Sequence, residues 1–120
     1  MKILITGSAG FIGFNLAKKL LENRRIKVIG IDNINNYYDI NLKKKRNNLL
    51  KKKINYTFIK ADIRDNKKLD KIFKKEKFDF VFNLAAQAGV RYSIDHPREY
   101  IENNILGFYH IIENVKKYKI

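Results

Sequence analysis

Cysteine is absent from the 120-residue sequence, and histidine occurs only twice. Without cysteine the chain can form neither a disulfide framework nor a thiolate metal site. The two histidines, His96 and His110, lack the spacing of metal ligands, so we expect no zinc site. A chain without cysteine is suited to a reducing compartment, and we therefore predict a cytoplasmic protein.

Long hydrophobic runs are also absent. The apolar run within residues 1–7 is too short for a signal peptide or a membrane helix, and glycines follow it directly. We therefore expect a soluble protein with no membrane partner. The hydrophobic content of 45% over 120 residues suffices for one modest core, so residues 1–120 are predicted to form a single globular unit or part of one.

Acidic residues are scarce. The sequence has 12 Asp and Glu but 26 Lys and Arg, which gives a net charge of +14. Such a charge can indicate a nucleic-acid or an anionic membrane partner. Here the excess is mostly lysine and accompanies many asparagines and isoleucines, three residue types that share AT-rich codons. The basic runs at residues 43–46 and 51–53 are interpreted as a solvated helix face. We therefore expect no nucleic-acid partner.

Apolar runs typical of buried strands alternate with helical patterns along the whole chain. The runs predict strands at residues 2–6, 27–31, 56–59 and 78–84. This alternation is typical of an α/β fold in which helices flank a parallel sheet. Right-handed crossovers give the strand order 3-2-1-4. Because a complete doubly wound sheet needs later strands, we predict a partial sheet with one open edge.

Four helices are predicted between and after these strands. The first follows the glycines, the second is a surface helix within residues 33–53, the third covers residues 67–77, and the fourth begins at Pro97. Leu42, Leu49 and Leu50 are the predicted apolar anchors of the second helix. The fourth carries a helical apolar face: Tyr100, Ile101, Ile105, Phe108, Ile111, Ile112 and Val115.

A glycine-rich loop joins the first strand to the first helix. It reads Thr6-Gly7-Ser8-Ala9-Gly10-Phe11-Ile12-Gly13, a G-x-x-G-x-x-G pattern in the context that dinucleotide binding demands. Gly7 permits the tight turn, Gly10 lets the backbone approach a pyrophosphate at the helix N-terminus, and Gly13 lets the helix lie close to the strand. The loop therefore predicts a dinucleotide site.

Two carboxylates follow later strands. Asp32 ends the second strand, where it can accept hydrogen bonds from ribose hydroxyls and would repel a 2′-phosphate, so NAD is preferred over NADP. Asp62, followed by Ile63, comes after the third strand and could accept a hydrogen bond from the adenine amino group. On composition alone, an N-cap region for the next helix explains Asp62 equally well.

With Asn83-Leu84-Ala85-Ala86 after the fourth strand, these motifs resemble the extended short-chain dehydrogenases/reductases of the NAD-dependent epimerase/dehydratase type. The similarity covers essentially all 120 residues and implies a Rossmann-type fold with NAD as cofactor. Residues 32–39 and 84–93 are similar to the corresponding segments of UDP-glucuronate 4-epimerases. Position 83 departs from the family pattern, because it is usually His in these enzymes and is Asn here.

The resemblance implies a role for each matching position. The pyrophosphate would contact Gly7, Gly10, Phe11 and Ile12, and the adenosine ribose would contact Asp32 and Asn33. The adenine would contact Asp62 and Ile63, and the nicotinamide side would contact Leu84, Ala85, Ala86 and Gln87. Asn103 matches a cofactor-contacting asparagine. In the loop after the fourth strand, Arg91 and Ser93 are candidates for the sugar nucleotide. For Arg91, a surface arginine bonded to the loop backbone is an equal alternative.

The family reaction requires a Tyr-x-x-x-Lys pair and a nearby Ser or Thr, which in relatives lie beyond residue 120. Tyr56 and Lys60 have the spacing but fall on a predicted strand, where residues four apart lie about 13 Å from each other. We therefore predict no catalytic residue in this chain, which would be the N-terminal part of a UDP-glucuronate 4-epimerase and inactive alone.

The resemblance also leaves alternatives open. The parent enzyme could be another NAD-dependent nucleotide-sugar dehydratase, decarboxylase or reductase, and the chain could be a catalytically silent NAD-binding module. Relatives imply a UDP-sugar substrate, a homodimer and a role in polysaccharide biosynthesis.

Overall fold

The computed structural model describes all 120 residues as one parallel sheet with helices on both faces. The strands are β1 (Lys2–Thr6), β2 (Lys27–Asp32), β3 (Tyr56–Lys60) and β4 (Phe80–Asn83). The helices are α1 (Phe11–Leu20), α2 (Ile40–Lys51), α3 (Asn66–Glu76), α4 (Val90–Asp95), α5 (Pro97–Tyr100) and α6 (Phe108–Tyr118), with a π-helical segment (Ile101–Gly107) between α5 and α6. None of the helices has the length and apolarity needed to cross a membrane.

The strands are ordered β3-β2-β1-β4, and every neighbouring pair is parallel. The predicted order and the predicted α/β class are therefore confirmed. β1 lies in the centre, with Ile3 opposite Val28 of β2 and Phe80 of β4. The carboxyl ends of all four strands consequently lie at one edge of the sheet.

Alternation along the strands divides the core into two layers. Ile3, Ile5 and Val28 pack towards α1 and α2, whereas Leu4 and Ile31 pack towards α3 and α6. The second layer is completed by three apolar side chains of α3, namely Leu69, Ile72 and Phe73. Because both faces of the sheet are covered, its central strands are apolar without interruption, as parallel strands usually are.

Helix α2 differs from its predicted packing. Leu42 and Leu49 are 40% and 54% exposed, so only Leu50 is the apolar anchor that the sequence predicted. The other buried residues of α2 are polar, Lys43 and Asn47. The prediction of a solvated lysine face is therefore wrong at Lys43, because the inner face of α2 packs against polar groups and carries no apolar stripe.

The region after β4 contains more structure than the sequence predicted. Pro97 begins a helix as expected, but Val90–Asp95 forms α4 where a loop was predicted, and a π-helical segment interrupts the long fourth helix. Helix α4 buries none of its residues, so it lacks the apolar spacing that reveals a helix. Within the π-helical segment, a Cβ at Gly107 would lie 2.6 Å from the Ile63 side chain, so this position requires glycine or movement of Ile63.

Strand β4 forms an edge of the sheet, as predicted. It pairs with β1 on one side only. Phe80 and Phe82 on its α1-side face are 54% and 39% exposed. The apolar face of the last helical region is likewise exposed at Ile101, Ile105 and Ile112 and buried at Ile111.

Candidate functional site

A cleft opens at the carboxyl ends of the strands. Its walls are the glycine-rich loop, the segments that follow β2, β3 and β4, and the π-helical segment. The lining residues are Gly7, Gly10, Ile31, Asp32, Asn33, Asn35, Tyr37, Tyr38, Lys43, Ala61, Asp62, Ile63, Leu84, Ala85, Ala86, Gln87, Ala88 and Asn103. In open parallel sheets this edge, where the connections diverge to opposite faces, is the usual ligand site.

Two glycines of the loop are required by close backbone approach. Gly7 has a φ of +68°, and a Cβ there would lie 2.8 Å from the main chain of Leu84 and Ala85. A Cβ at Gly13 would lie 2.2 Å from the carbonyl oxygen of Gly7. Gly10 is the N-cap of α1, with no side chain capping the helix. The first turn of α1 therefore presents backbone N–H groups at the cleft, where an anion is favoured.

Asp32 fixes the loop to the end of β2. The residue is 8% exposed, and its two carboxylate oxygens accept hydrogen bonds from Ala9 N at 3.0 Å and from Ile34 N at 2.8 Å. Ile34 has a φ of +54°, which is rare for a β-branched residue and which the bond to Asp32 helps to hold. Each carboxylate oxygen keeps further acceptor capacity for a ligand hydroxyl.

Thr6 connects β1 with the segment after β4. Its hydroxyl donates to Asn83 Oδ1 at 2.6 Å and accepts from the main-chain N–H groups of Leu84 and Ala85 at 3.1 and 3.0 Å. Asn83, the departure from the family's His, thus serves as the acceptor that orients this hydroxyl. The sequence offered no signal for the role of Thr6 beyond its position before Gly7.

Hydrogen bonds from neighbouring side chains stabilise the ionised form of the Asp62 carboxyl group. Burial raises its pKa, but hydrogen bonds from Arg64 and Asn33 outweigh burial and lower the pKa of Asp62 to about 2. Arg64 donates to both carboxylate oxygens and also reaches Glu102 of the π-helical segment at 3.4 Å. The sequence analysis missed Arg64, which lies two residues from Asp62 and could have been noticed only as a neighbouring charge.

Two asparagines of the π-helical segment lie at the wall of the cleft that the segment after β4 forms. Asn104 accepts from Gln87 N at 2.7 Å and donates to Gln87 O at 3.0 Å. Its side-chain amide thus bonds both main-chain polar groups of Gln87. Asn103 lines the cleft and donates to the Glu99 carbonyl at 2.7 Å. The segment after β4 is therefore positioned by residues far along the chain.

The family model described as GDP-mannose 4,6 dehydratase matches residues 4–120. The chain belongs to this epimerase/dehydratase family. The predicted family is thus confirmed, and among the matching proteins are enzymes named as UDP-glucuronate 4-epimerases.

Three proteins illustrate the similarity of this family member. Protein CapI of Staphylococcus aureus is 51% identical over 120 residues, all of this chain and 35% of CapI. UDP-glucuronate 4-epimerase 4 of Arabidopsis thaliana is 43% identical over 95% of this chain and 26% of its own. The Bacillus cereus UDP-glucuronic acid 4-epimerase, solved with UDP-glucuronic acid and NAD, superposes with a TM-score of 0.89 at 37% identity over 97% of this chain and 36% of that one. This chain therefore spans about a third or less of the length of these relatives.

Most of the predicted cofactor residues line the cleft, and three do not. Phe11 and Ile12 are 69% and 67% exposed at the start of α1, and Gly13 is buried beneath the loop. These two exposed residues can contribute main-chain N–H groups to the cleft edge, whereas Gly13 acts through close packing. The individual roles stay predictions.

The two predicted substrate residues lie on α4 and do not line the cleft. Arg91 is exposed, and the Ser93 hydroxyl donates to the Val90 carbonyl at 2.5 Å within the helix. The prediction of a loop at this position is wrong, because these residues form a helical turn. A role of Arg91 and Ser93 in sugar binding stays a prediction.

Tyr56 and Lys60 both lie on β3, as the sequence predicted. The Tyr56 hydroxyl is buried between Ser8 Oγ and Asn47 Oδ1, each 3.3 Å away. Burial raises the pKa of Tyr56 to about 12, which is opposite to the change that a catalytic tyrosine needs. Tyr56 therefore supports the glycine-rich loop through Ser8, and the absence of a catalytic residue from this chain stays a prediction.

Four polar or aromatic lining residues were assigned no role from the sequence: Asn35, Tyr37, Tyr38 and Lys43. Lys43 Nζ donates to both oxygens of Asn35, with 3.1 Å to the carbonyl, and lies 4.4 Å from the centroid of the Tyr38 ring. Tyr37 packs edge-on against Tyr92 at 4.9 Å between ring centroids. Asn35, Tyr37 and Tyr38 belong to the segment 32–39 that resembles the epimerases, but their grouping with Lys43 depends on how the chain folds back after β2.

No group of three or more His, Asp or Glu side chains is placed to hold a metal ion.

Proposed function

We propose that this chain is the NAD-binding part of a nucleotide-sugar epimerase that inverts C4 of UDP-glucuronate. The observation that carries the proposal is the convergence of the glycine-rich loop and the Asp32 carboxylate at one end of the cleft. The likeness to the Bacillus cereus epimerase, solved with UDP-glucuronic acid and NAD, supports the choice of ligand.

The residues of the cleft fit NAD in three places. The glycines leave room for a pyrophosphate against the N-terminus of α1. Asp32 offers acceptors to ribose hydroxyls, and its charge disfavours a 2′-phosphate. Ala85 and Ala86 present small side chains on the nicotinamide side. When bound, NAD would supply the hydride acceptor for oxidation at C4 and return the hydride to the other face.

The groups that would move the substrate proton are expected outside these 120 residues. Tyr56 is buried with a raised pKa, and Lys60 lies on the same strand and not on a helix turn. We therefore expect the chain to bind the cofactor without catalysing epimerisation.

Calorimetric titration of the purified chain with NAD and NADP tests the cofactor proposal. NAD should bind at least about tenfold more tightly than NADP, because Asp32 repels the additional phosphate. Equal affinity would contradict the assigned role of Asp32. Absence of binding by either dinucleotide would overturn the proposed function of the cleft.

Incubation of the chain with NAD and UDP-glucuronate tests the catalytic expectation. Chromatography of the sugar nucleotides should show no C4 epimer above a protein-free control. Epimer that increases with protein concentration would show that residues within this chain suffice for catalysis.

A 4,6-dehydratase is the second candidate, favoured by the description of the matching family model. An epimerase product keeps the mass of its substrate, whereas a dehydratase product loses one water. Mass spectrometry of UDP-glucuronate and GDP-mannose after reaction with the protein that carries this chain separates the two candidates.

We further propose that this protein works in the cytoplasm as a homodimer and supplies a sugar nucleotide for polysaccharide biosynthesis, with neither a membrane nor a nucleic acid as partner. The absence of cysteine and the short apolar runs support the proposed location.

A further inference from the structure

Three polar side chains meet beneath the glycine-rich loop, in the layer that α1 and α2 form with the sheet. They are Ser8 of the loop, Tyr56 of β3 and Asn47 of α2, and they are 0%, 7% and 5% exposed. The Tyr56 hydroxyl lies 3.3 Å from Ser8 Oγ and 3.3 Å from Asn47 Oδ1. Because a buried polar group is costly when it has no partner, these three side chains depend on one another.

The donors and acceptors of this network fit one arrangement. Asn47 Oδ1 can only accept, so Tyr56 donates its single proton there, and the Tyr56 oxygen accepts the proton of the Ser8 hydroxyl. Burial raises the pKa of Tyr56 to about 12, and the hydrogen bond with Ser8 opposes that rise. Tyr56 therefore keeps its proton at neutral pH, and it is the one partner of the Ser8 hydroxyl.

A glycine in β2 leaves room for this network. Gly30 interrupts an otherwise apolar strand, and a glycine there weakens the strand unless another group needs the space. A Cβ at this position would lie 2.2 Å from the Tyr56 hydroxyl oxygen and 2.6 Å from Ser8 Oγ. The two hydroxyl groups thus occupy the volume that a side chain at residue 30 would fill.

Ser8 connects the network to the part of the loop that faces the cleft. It follows Gly7, whose φ is +68°, and its main-chain N–H donates to the Ile31 carbonyl at 3.2 Å. Gly10 N then closes the turn on the Gly7 carbonyl at 3.0 Å, and Gly10 is the N-cap of α1. The main chain and the side chain of Ser8 are therefore both fixed at the start of the turn that leads to α1. A loop that is fixed before binding loses less entropy when a ligand arrives.

We propose that Tyr56 is a positioning residue for the cofactor: through Ser8 it holds the glycine-rich loop in the conformation that receives the pyrophosphate. The inference rests on the proposed binding of NAD and adds to that site a residue that lies beneath the loop and does not line the cleft. It gives a role to a hydroxyl group that is buried in the same layer as Val28 and Leu50.

The test measures NAD and ADP, which share the pyrophosphate, by calorimetry on the wild-type chain, Tyr56→Phe, Ser8→Ala and the double variant. Phenylalanine keeps the ring and removes only the hydroxyl group. Tyr109→Phe is the matched control, because Tyr109 is 54% exposed on α6 and does not line the cleft. Gly30→Ala approaches the same network from β2, since its Cβ would displace both hydroxyl groups. Circular dichroism verifies the folding of each variant.

Tyr56→Phe should bind NAD and ADP about tenfold more weakly than the wild type, because the buried Ser8 hydroxyl loses its partner. Gly30→Ala should weaken both ligands to a similar extent, and Tyr109→Phe should stay within about twofold of the wild type. In the Ser8→Ala background, Tyr56→Phe should change either affinity by less than about twofold, since no hydroxyl is left at residue 8 to be held. A residue that only stabilises the fold would not show this dependence on Ser8.

Undiminished NAD and ADP affinity of Tyr56→Phe would overturn the inference while leaving cofactor binding intact. An equal loss of affinity in the Ser8→Ala background would overturn it as well, because Tyr56 would then act by another route. Failure of the wild type to bind either NAD or ADP would instead overturn the proposed function, and this inference with it.

Discussion

Single side chains at the strand ends position the main chain of the cleft. Asp32 bonds Ala9 and Ile34, and Thr6 bonds Leu84 and Ala85. Each of these polar groups is buried or half-buried and each has partners, and no buried side-chain nitrogen or oxygen is left without one. Because an unpaired buried polar group costs about 1–3 kcal/mol, such bonds fix the geometry of the cleft before any ligand arrives.

Gly13→Ala tests the closeness of α1 to the glycine-rich loop. Alanine in a helix interior is usually more stable than glycine by about 1 kcal/mol. Here the new Cβ would lie 2.2 Å from the Gly7 carbonyl oxygen, so we expect destabilisation of roughly 1–3 kcal/mol in urea unfolding followed by circular dichroism. Gly107→Ala, whose Cβ would meet the movable Ile63 side chain, should cost less. An equal or greater stability of Gly13→Ala would refute the proposed close approach.

At the scale of elements, ion pairs connect the segment after β3 with the π-helical segment. Arg64 bonds Asp62 at 2.8 Å and Glu102 at 3.4 Å, and Glu102 also accepts from Arg98 at 2.5 Å. The π-helical turn is wider than an α-helical turn and brings Gly107 against Ile63. Elements that are distant in sequence thus meet around the Asp62 end of the cleft.

Asp62→Asn tests the energetic contribution of this network through pH. The pKa of Asp62 is lowered to about 2, so its carboxylate stabilises the native state above the unfolded pKa, and that stability is lost as pH falls from about 4 to about 2. The wild type should lose roughly 1–2 kcal/mol more than Asp62→Asn between about pH 6 and about pH 2, measured by urea unfolding.

Asp95→Asn is the matched control for this experiment, since Asp95 is exposed on α4 and its carboxylate makes no ion pair. It should follow the wild-type pH dependence. If Asp62→Asn also follows the wild type, the ionised Asp62 carboxylate contributes nothing to stability at neutral pH.

The whole molecule exposes apolar surface on two sides. Phe80 and Phe82 lie on the open face of β4, and Ile101, Ile105 and Ile112 lie along the last helical region. An unpaired strand edge beside apolar side chains favours association with another chain.

Size-exclusion chromatography with light scattering over a range of concentrations measures this association. The mass of the wild-type chain should rise with concentration, and Phe80→Lys with Phe82→Lys should shift it towards the monomer. Ile54→Lys makes the same change at a fully exposed isoleucine and should have no effect. A monomeric wild type at all concentrations would show that these surfaces do not drive association.

Much of the cleft could be predicted from the sequence because its motifs are local. The spacing of Gly7, Gly10 and Gly13 predicts a turn followed by a helix, and Asp32 stands at the end of an apolar strand. Lys43 was misread because a lysine within a basic run looks solvated. Only the fold-back after β2 places Lys43 beside Asp32.

The sequence by itself determined the parallel sheet, its order β3-β2-β1-β4 and the glycine-rich turn, because apolar periodicity and glycine spacing are properties of neighbouring residues. Tertiary structure alone decided the partners of the polar side chains. Thr6 meets Asn83 and Arg64 meets Glu102 across separations of 77 and 38 residues. A hydrogen bond depends on where two segments meet in space, and no local pattern records that meeting.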